Sequence, residues 1–230
     1  MRAMILAAGL GNRMQPLTAE LPKPLLRVGN YSLVEHQVMK LKAAGITEIV
    51  INHYYLGELI EQRLGDGSRF GVGIRYSHET VRLETAGGII AALPLLEDDC
   101  FLVVNADIWT DFDFSTLMPV TGSDCLAHLV LVGNADHHPT GDFCLDDSGR
   151  VHAGHGSRDP RLTFSGISVL HKKLFEGYPP APQALLPLLQ AAMAKDLVRG
   201  QYYKGTWIDI GTPERLQTVR ELYASEQKQS

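Results

Sequence analysis

Apolar positions in the first hundred residues come in short bursts separated by longer, partly polar stretches, which predicts strands alternating with crossover helices. Residues 3–8 form an apolar run of strand length. Residues 31–44 (YSLVEHQVMKLKAA) place Leu33, Val34, Val38, Leu41 and Ala44 near a 3.6-residue period and stop at Gly45, predicting a helix with a glycine just past its end. The pattern continues with a strand over 48–52, a helix over 56–64, a strand over 72–77 and a helix over 85–93 ended by Pro94. Cys100 to Val104 is apolar throughout, as in a central strand covered on both faces. After Asp107 come strands over 126–132 and 164–170, a hairpin joining 143–145 to Val151 across DDSG, and a helix over 185–194. Strands over 197–203 and 206–210 follow, then a helix over 212–223 opened by a Thr cap and Pro213. This is an α/β layered domain with a mixed, mostly parallel sheet flanked by helices. No linker divides it; YPPAP at 178–182 reads as a surface loop, and the polar tail SEQKQS as frayed.

The composition is that of an ordinary globular chain, and 21 Lys+Arg against 26 Asp+Glu give a net charge of −5. That balance argues against a sequence-independent nucleic-acid binder. The first residues are too short an apolar run for a signal peptide or a membrane span, so the expectation is a cytoplasmic protein without a membrane partner. Cys100, Cys125 and Cys144 stand at wide spacings that fit reduced thiols rather than a disulfide framework or a zinc site.

The segment richest in chemistry is LAAGLGNRMQPLT (6–18) followed by ELPKPLL (20–26). A strand running into small residues and two glycines lets backbone N–H groups approach an anion closely. The dinucleotide fingerprint G-x-G-x-x-G fails, because Met14 stands at the third glycine and Pro16 follows where a helix should run. That disfavours a dinucleotide oxidoreductase. The pattern G-x-x-x-x-G-K-[ST] fails as well. What is left is a glycine loop continuing as coil, with Arg13 and with Lys23 between Pro22 and Pro24, which are expected to hold the lysine backbone extended. Two cations beside such a loop suit a polyphosphate of about four negative charges. Asp107 follows the buried strand FLVVNA, at the carboxyl end where open α/β sheets bind ligands. Asp209 lies in a second strand, WID, ahead of a helix start.

LAAGLGNRMQPLT with PKPLL resembles the signature of the sugar-phosphate nucleotidyltransferases, and the likeness extends through LETAGG (83–88), NAD (105–107), FSGI (164–167) and WIDIGTPE (207–214). The resemblance implies a Rossmann-like domain with a mainly nucleotide-binding half (1–110) and a mainly sugar-binding half (111–205). Residues 206–230 then carry a second metal carboxylate and the last helix. It implies that Asp107 and Asp209 jointly hold Mg²⁺, which accepts hard carboxylate oxygens and completes its octahedron with phosphate and water. Arg13 and Lys23 are then catalytic, neutralising phosphate charge as a sugar 1-phosphate attacks in line and pyrophosphate leaves. Ala8, Gly9, Gly11, Asn12, Glu79, Glu84 and Thr85 complete the implied nucleotide contacts. An ionised Glu79 only accepts hydrogen bonds, so it requires a base with a ring N–H. That favours UTP or GTP, with dTTP also allowed. Glu84 replaces the family's usual glycine, leaving its backbone N–H for that contact. On the sugar side the resemblance implies Asn105, Gly141, Ser165 and Asp209. AGHGSRDPR (153–161) stands where the family carries Glu-Lys-Pro, which makes His155, Arg158 and Arg161 candidates for a sugar hydroxyl, a phosphate or a carboxylate. His137, His138, His152 and His171 show no metal-ligand spacing and read as loop residues. The expectation is therefore a monomeric, Mg²⁺-dependent uridylyltransferase. A guanylyl- or thymidylyltransferase is the alternative within the class, and a nucleotide-binding regulatory module without turnover is the alternative outside it.

Overall fold

The computed structural model describes residues 1–154 and 160–228. Thirteen strands and five α-helices are found among them. In chain order these are β1 (Ala3–Leu6), β2 (Arg27–Val28), β3 (Tyr31–Ser32), α1 (Leu33–Ala43), β4 (Glu48–His53), α2 (Gly57–Leu64), β5 (Gly73–His78), α3 (Glu84–Leu96) and β6 (Cys100–Asn105). The second half holds β7 (Ile108–Thr110), β8 (Ala127–Val132), β9 (Phe143–Leu145), β10 (Val151–His152), β11 (Arg161–His171), α4 (Leu185–Met193), β12 (Val198–Tyr203), β13 (Trp207–Asp209) and α5 (Pro213–Glu226).

The strands β5, β4, β1 and β6 lie side by side and parallel, joined by crossover helices as the alternating pattern predicts. β11 then pairs antiparallel with β6, β8 antiparallel with β11, and β12 parallel with β8. The first end of β11 also carries the β9–β10 hairpin. Period-two alternation divides the core between the two faces. Ala3 and Ile5 join Val34, Val38 and Leu41 of α1 and Ile60 of α2 in one buried cluster, while Met4 joins Ile89 of α3 and Leu188 of α4 in the other. β6 lies between them, and its four residues Phe101 to Val104 are buried on both sides. Among the described residues no helix is long and apolar enough to cross a membrane, and no disulfide forms.

Several local expectations are corrected. Pro94 lies inside α3, which continues to Leu96; a proline so near the helix end removes one hydrogen bond of the last turns without breaking the helix. The glycine loop does not stay coil but winds into a 3₁₀ turn over Asn12–Met14. Lys23 is not extended either: it opens a second 3₁₀ turn, with Leu25 N–H donating to Pro22 C=O at 2.8 Å and Leu26 N–H to Lys23 C=O at 3.0 Å. The extended backbone is kept at the two flanks of this turn, Pro22 and Leu26. These two turn bonds outweigh the bias that Pro24 imposes on its predecessor. The tail is helical as far as Glu226.

A third, smaller cluster ties the glycine loop to the far end of the chain. Met14 is fully buried with Leu26, Val28 and Leu33 against Ile210, Leu216 and Val219. The residue that spoils the dinucleotide fingerprint is thus the anchor of the loop, its burial contributing about 2 kcal/mol.

Candidate active site

The carboxyl ends of the four parallel strands gather the candidate residues. Asn52 of β4 and Asn105 of β6 both stand in register with Leu6 of β1. The glycine loop leaves β1 just beyond, Glu79 follows β5, and Asp107 follows β6. Three adjoining cavities of about 160, 260 and 430 Å³ run along this edge.

The first cavity is lined by Leu6, Ala8, Gly9, Asn52, Glu79, Arg82, Glu84, Thr85 and Asn105. Glu79 is 2% exposed and held by two hydrogen bonds, one oxygen accepting from Asn52 Nδ2 at 2.7 Å and the other from Leu83 N–H at 3.0 Å. Asn52 is itself oriented, because its Oδ1 accepts from Ala7 N–H at 3.0 Å. Gly88 makes this clamp possible: a Cβ there would stand 2.6 Å from Glu79 Oε1 and 2.8 Å from Asn52 Nδ2. Each carboxylate oxygen of Glu79 keeps a further acceptor site for a ligand. Glu84 is the first residue of α3 rather than a loop residue, and its φ of 58° lies in the left-handed region. A non-glycine residue there costs about 1 kcal/mol.

The second cavity is formed by Gly9 to Met14, Lys23, Arg82, Asp107 and Gly211. Gly11 adopts φ 67°, and its carbonyl accepts both Met14 N–H at 2.8 Å and Thr18 Oγ1 at 2.9 Å, so the loop is braced from below. Lys23, nearly buried, forms an ion pair with Asp107. Arg13 and Asp107 also line the third cavity, with Asn105, Ile108, His137, His138, Thr163, Phe164, Ser165, Trp207 and Asp209.

The two aspartates anticipated as a pair come together. β13 runs antiparallel to β7, pairing Asp209 with Ile108, and Ile210 N–H donates to Asp107 C=O at 2.9 Å. Each carboxylate faces a cation, Asp107 facing Lys23 and Asp209 accepting from Arg215 Nη1 at 3.0 Å. Among the described residues no group of three or more His, Cys, Asp or Glu could hold a metal ion. Two carboxylates in one cavity nevertheless fit a hard cation that takes most of its ligands from phosphate and water.

Other anticipated residues are placed differently. Gly141 lines none of these cavities, and its N–H donates to His138 C=O at 3.4 Å within a turn. Ser165 is at the cavity wall, but its hydroxyl is engaged, donating to Val130 C=O at 2.7 Å. The Arg161 guanidinium donates to Asp142 C=O at 2.6 Å. His155 and Arg158 lie outside the described residues. His137 and His138, read from the sequence as ordinary loop residues, line the third cavity. His137 Nε2 accepts from Arg215 Nη1 at 2.6 Å, and His138 Nε2 meets Asp142 Oδ1 at 3.0 Å. Asn52 and Arg82 were also missed. Asn52 had a signal, a polar residue at the carboxyl end of an apolar parallel strand.

A glycine loop, a buried acceptor beside it and two carboxylates at one sheet edge define a protein that handles nucleotides. The chain belongs to the nucleotidyl transferase family, whose model matches residues 2–152. It is similar to N-acetylmuramate alpha-1-phosphate uridylyltransferase of Neisseria meningitidis serogroup B, with 48% identity over 96% of this chain and 98% of that one. The protein of that description from Caulobacter vibrioides is 33% identical over 92% of each chain. A mannose-1-phosphate guanylyltransferase catalytic subunit beta of Dictyostelium discoideum is 29% identical over 99% of this chain and 66% of its own length. Among solved structures, HddC from Yersinia pseudotuberculosis superposes with a TM-score of 0.78 at 22% identity, covering 96% of this chain and 99% of that one. The inositol-1-phosphate CTP transferase of T. maritima gives 0.75 at 21%, covering 97% and 94%. These last two likenesses establish the shared fold.

Proposed function

We propose that this protein is a monomeric uridylyltransferase that moves a uridylyl group from UTP to N-acetylmuramate 1-phosphate, releasing pyrophosphate. The observation that carries this reading is the joining of the second and third cavities at Arg13 and Asp107, beside Lys23. A nucleotide phosphate chain and a sugar phosphate entering from opposite sides meet there. The 48% identity to the Neisseria meningitidis enzyme supports the choice of base and sugar.

In this reading the uracil occupies the first cavity, and its ring N–H donates to Glu79. The β- and γ-phosphates rest on the glycine-loop N–H groups and Arg13. A sugar 1-phosphate is already anionic at neutral pH, so attack needs no general base. Its oxygen bonds to the α-phosphorus as the bond to the bridging oxygen breaks, and the electron pair leaves with pyrophosphate. Lys23 neutralises charge at that phosphorus. Asp107 and Asp209 would hold Mg²⁺, which supplies further neutralisation when bound. Asn105 faces the sugar; its amide makes no hydrogen bond among the described residues.

The test is pyrophosphate release across a matrix of nucleoside triphosphates and sugar 1-phosphates, with and without Mg²⁺. The proposal predicts release with UTP and N-acetylmuramate 1-phosphate, abolished by a chelator. Release with GTP or dTTP instead would reassign the base, and no release in any combination would refute the enzymatic reading.

A further inference from the structure

Ten of the arginines among the described residues donate to an oxygen of the protein. Arg2, Arg63, Arg69, Arg75, Arg150 and Arg215 meet carboxylates, while Arg27, Arg161, Arg199 and Arg220 meet backbone carbonyls. Two do not, Arg13 and Arg82, and both line the second cavity. The five N–H donors of a guanidinium are spread in a fork that can meet several acceptor oxygens at once. Two that find none, in one cavity walled by a glycine loop, are cations left for a ligand.

Arg82 has a further distinction. It and Gly9 are the two residues that line both the first and the second cavity, so Arg82 stands where the proposed nucleoside compartment opens into the phosphate compartment. Lys23 is paired with Asp107 and assigned to the α-phosphorus. Arg13 is then the one side-chain cation assigned to the β- and γ-phosphates, which carry most of the charge of the polyphosphate. The segment carrying Arg82 is also well placed to act: Leu83 N–H is fastened to Glu79, so a group at position 82 is held relative to the residue that meets the base.

We infer that Arg82 is a ligand of the triphosphate, gripping it from the nucleoside side while Arg13 grips it from the loop side. The inference rests on the nucleotidyl-transfer reading above and adds a residue to it. Planar, two-pronged donation to phosphate oxygens is what a guanidinium offers and an ammonium does not. Base recognition by Glu79 and phosphate recognition by Arg82 then sit on one short segment, so a nucleotide must satisfy both to seat it.

The test compares Arg82→Ala and Arg82→Lys with the unaltered protein, measuring UTP binding by calorimetry and uridine binding by ligand-observed NMR. Arg82→Ala is expected to weaken UTP at least tenfold and leave uridine within twofold, with Arg82→Lys between. In turnover, the KM for UTP should rise by a similar factor, while the KM for the sugar phosphate stays within twofold. Because Arg82 is exposed, both variants should keep the thermal midpoint of the parent. Equal losses for UTP and uridine would overturn the inference in favour of a contact to base or ribose, and unchanged UTP affinity would overturn it outright. If the unaltered protein binds no nucleoside triphosphate, the functional reading itself fails.

Discussion

The buried clamp at the first cavity makes a quantitative prediction about polarity. Ala7 N–H donates to Asn52 Oδ1, Asn52 Nδ2 donates to Glu79 Oε1, and Leu83 N–H donates to Glu79 Oε2. Glu79→Gln preserves shape but gives position 79 one acceptor oxygen where two are needed. The new amide nitrogen must face either Asn52 Nδ2 or Leu83 N–H, donor against donor, and Asn52 cannot flip without abandoning Ala7. With Asn52 and Glu79 at 3% and 2% exposure, little water reaches the mismatched donors. The expected loss is about 2 kcal/mol, or roughly 6 °C in thermal midpoint for a chain of this size. Asn52→Asp alone brings a carboxylate oxygen against the Glu79 carboxylate and should cost at least as much. The double variant reverses the middle hydrogen bond, since the new amide at 79 donates to the new carboxylate at 52 while still accepting from Leu83 N–H. Every donor then regains an acceptor, so the double should lie within about 1 kcal/mol of the parent, a coupling of roughly 3 kcal/mol or more. Urea denaturation of the four proteins measures it. A Glu79→Gln variant as stable as the parent, or a double variant no better than the worse single, would refute the clamp.

Other outcomes follow from the same structure. Lys23→Ala should lower kcat by about 10²–10³ with the fold intact; steady-state kinetics with circular dichroism checks this, and near-normal turnover would remove Lys23 from the mechanism. Met14→Ala should destabilise by about 3 kcal/mol, read as a lower urea midpoint, because it empties the cluster joining the glycine loop to α5. Burial lowers the pKa of His36, His128 and His171 below the ordinary histidine value, with the hydrogen bond to Gln201 opposing this in part at His128. The unfolded chain therefore takes up protons first. Stability should be full above about pH 6.5 and fall as the pH drops through the depressed folded values. Denaturation midpoints between pH 7.5 and 5 test this, and His128→Gln should lessen the decline.

What could be read from the chain followed the range of the signals. The strand-ending Asp107 and the 206–214 segment carrying Asp209 stand out locally, because a polar residue closing an apolar run is visible without knowing its neighbours. That the two meet depends on β13 pairing with β7, about a hundred residues apart, and no local pattern encodes that pairing. Asn52 carries the same strand-end signal as Asn105, yet it acquires meaning only through Glu79 across the sheet. The histidines at 137 and 138 lie in a segment with no periodicity, so only the fold brings them to the cavity. Lys23 shows the opposite failure. Its flanking prolines make a strong local argument for extension, and two turn hydrogen bonds override it.

One feature of α3 bears on where anions go. A helix start ordinarily offers its free N–H groups to a phosphate. Here Ala86 and Gly87 both donate to Gln183 C=O, at 2.9 and 3.2 Å, and Gln183 N–H donates back to Leu83 C=O at 2.9 Å. The proline-dense segment before α4 thus corks the helix mouth from the other half of the molecule. Those N–H groups are withheld from anions, and the segment from Glu79 to Leu83 is fastened by a tether a hundred residues downstream. Lengthening or cutting that tether should register as weakened nucleotide affinity, although no residue in it faces the nucleotide cavities.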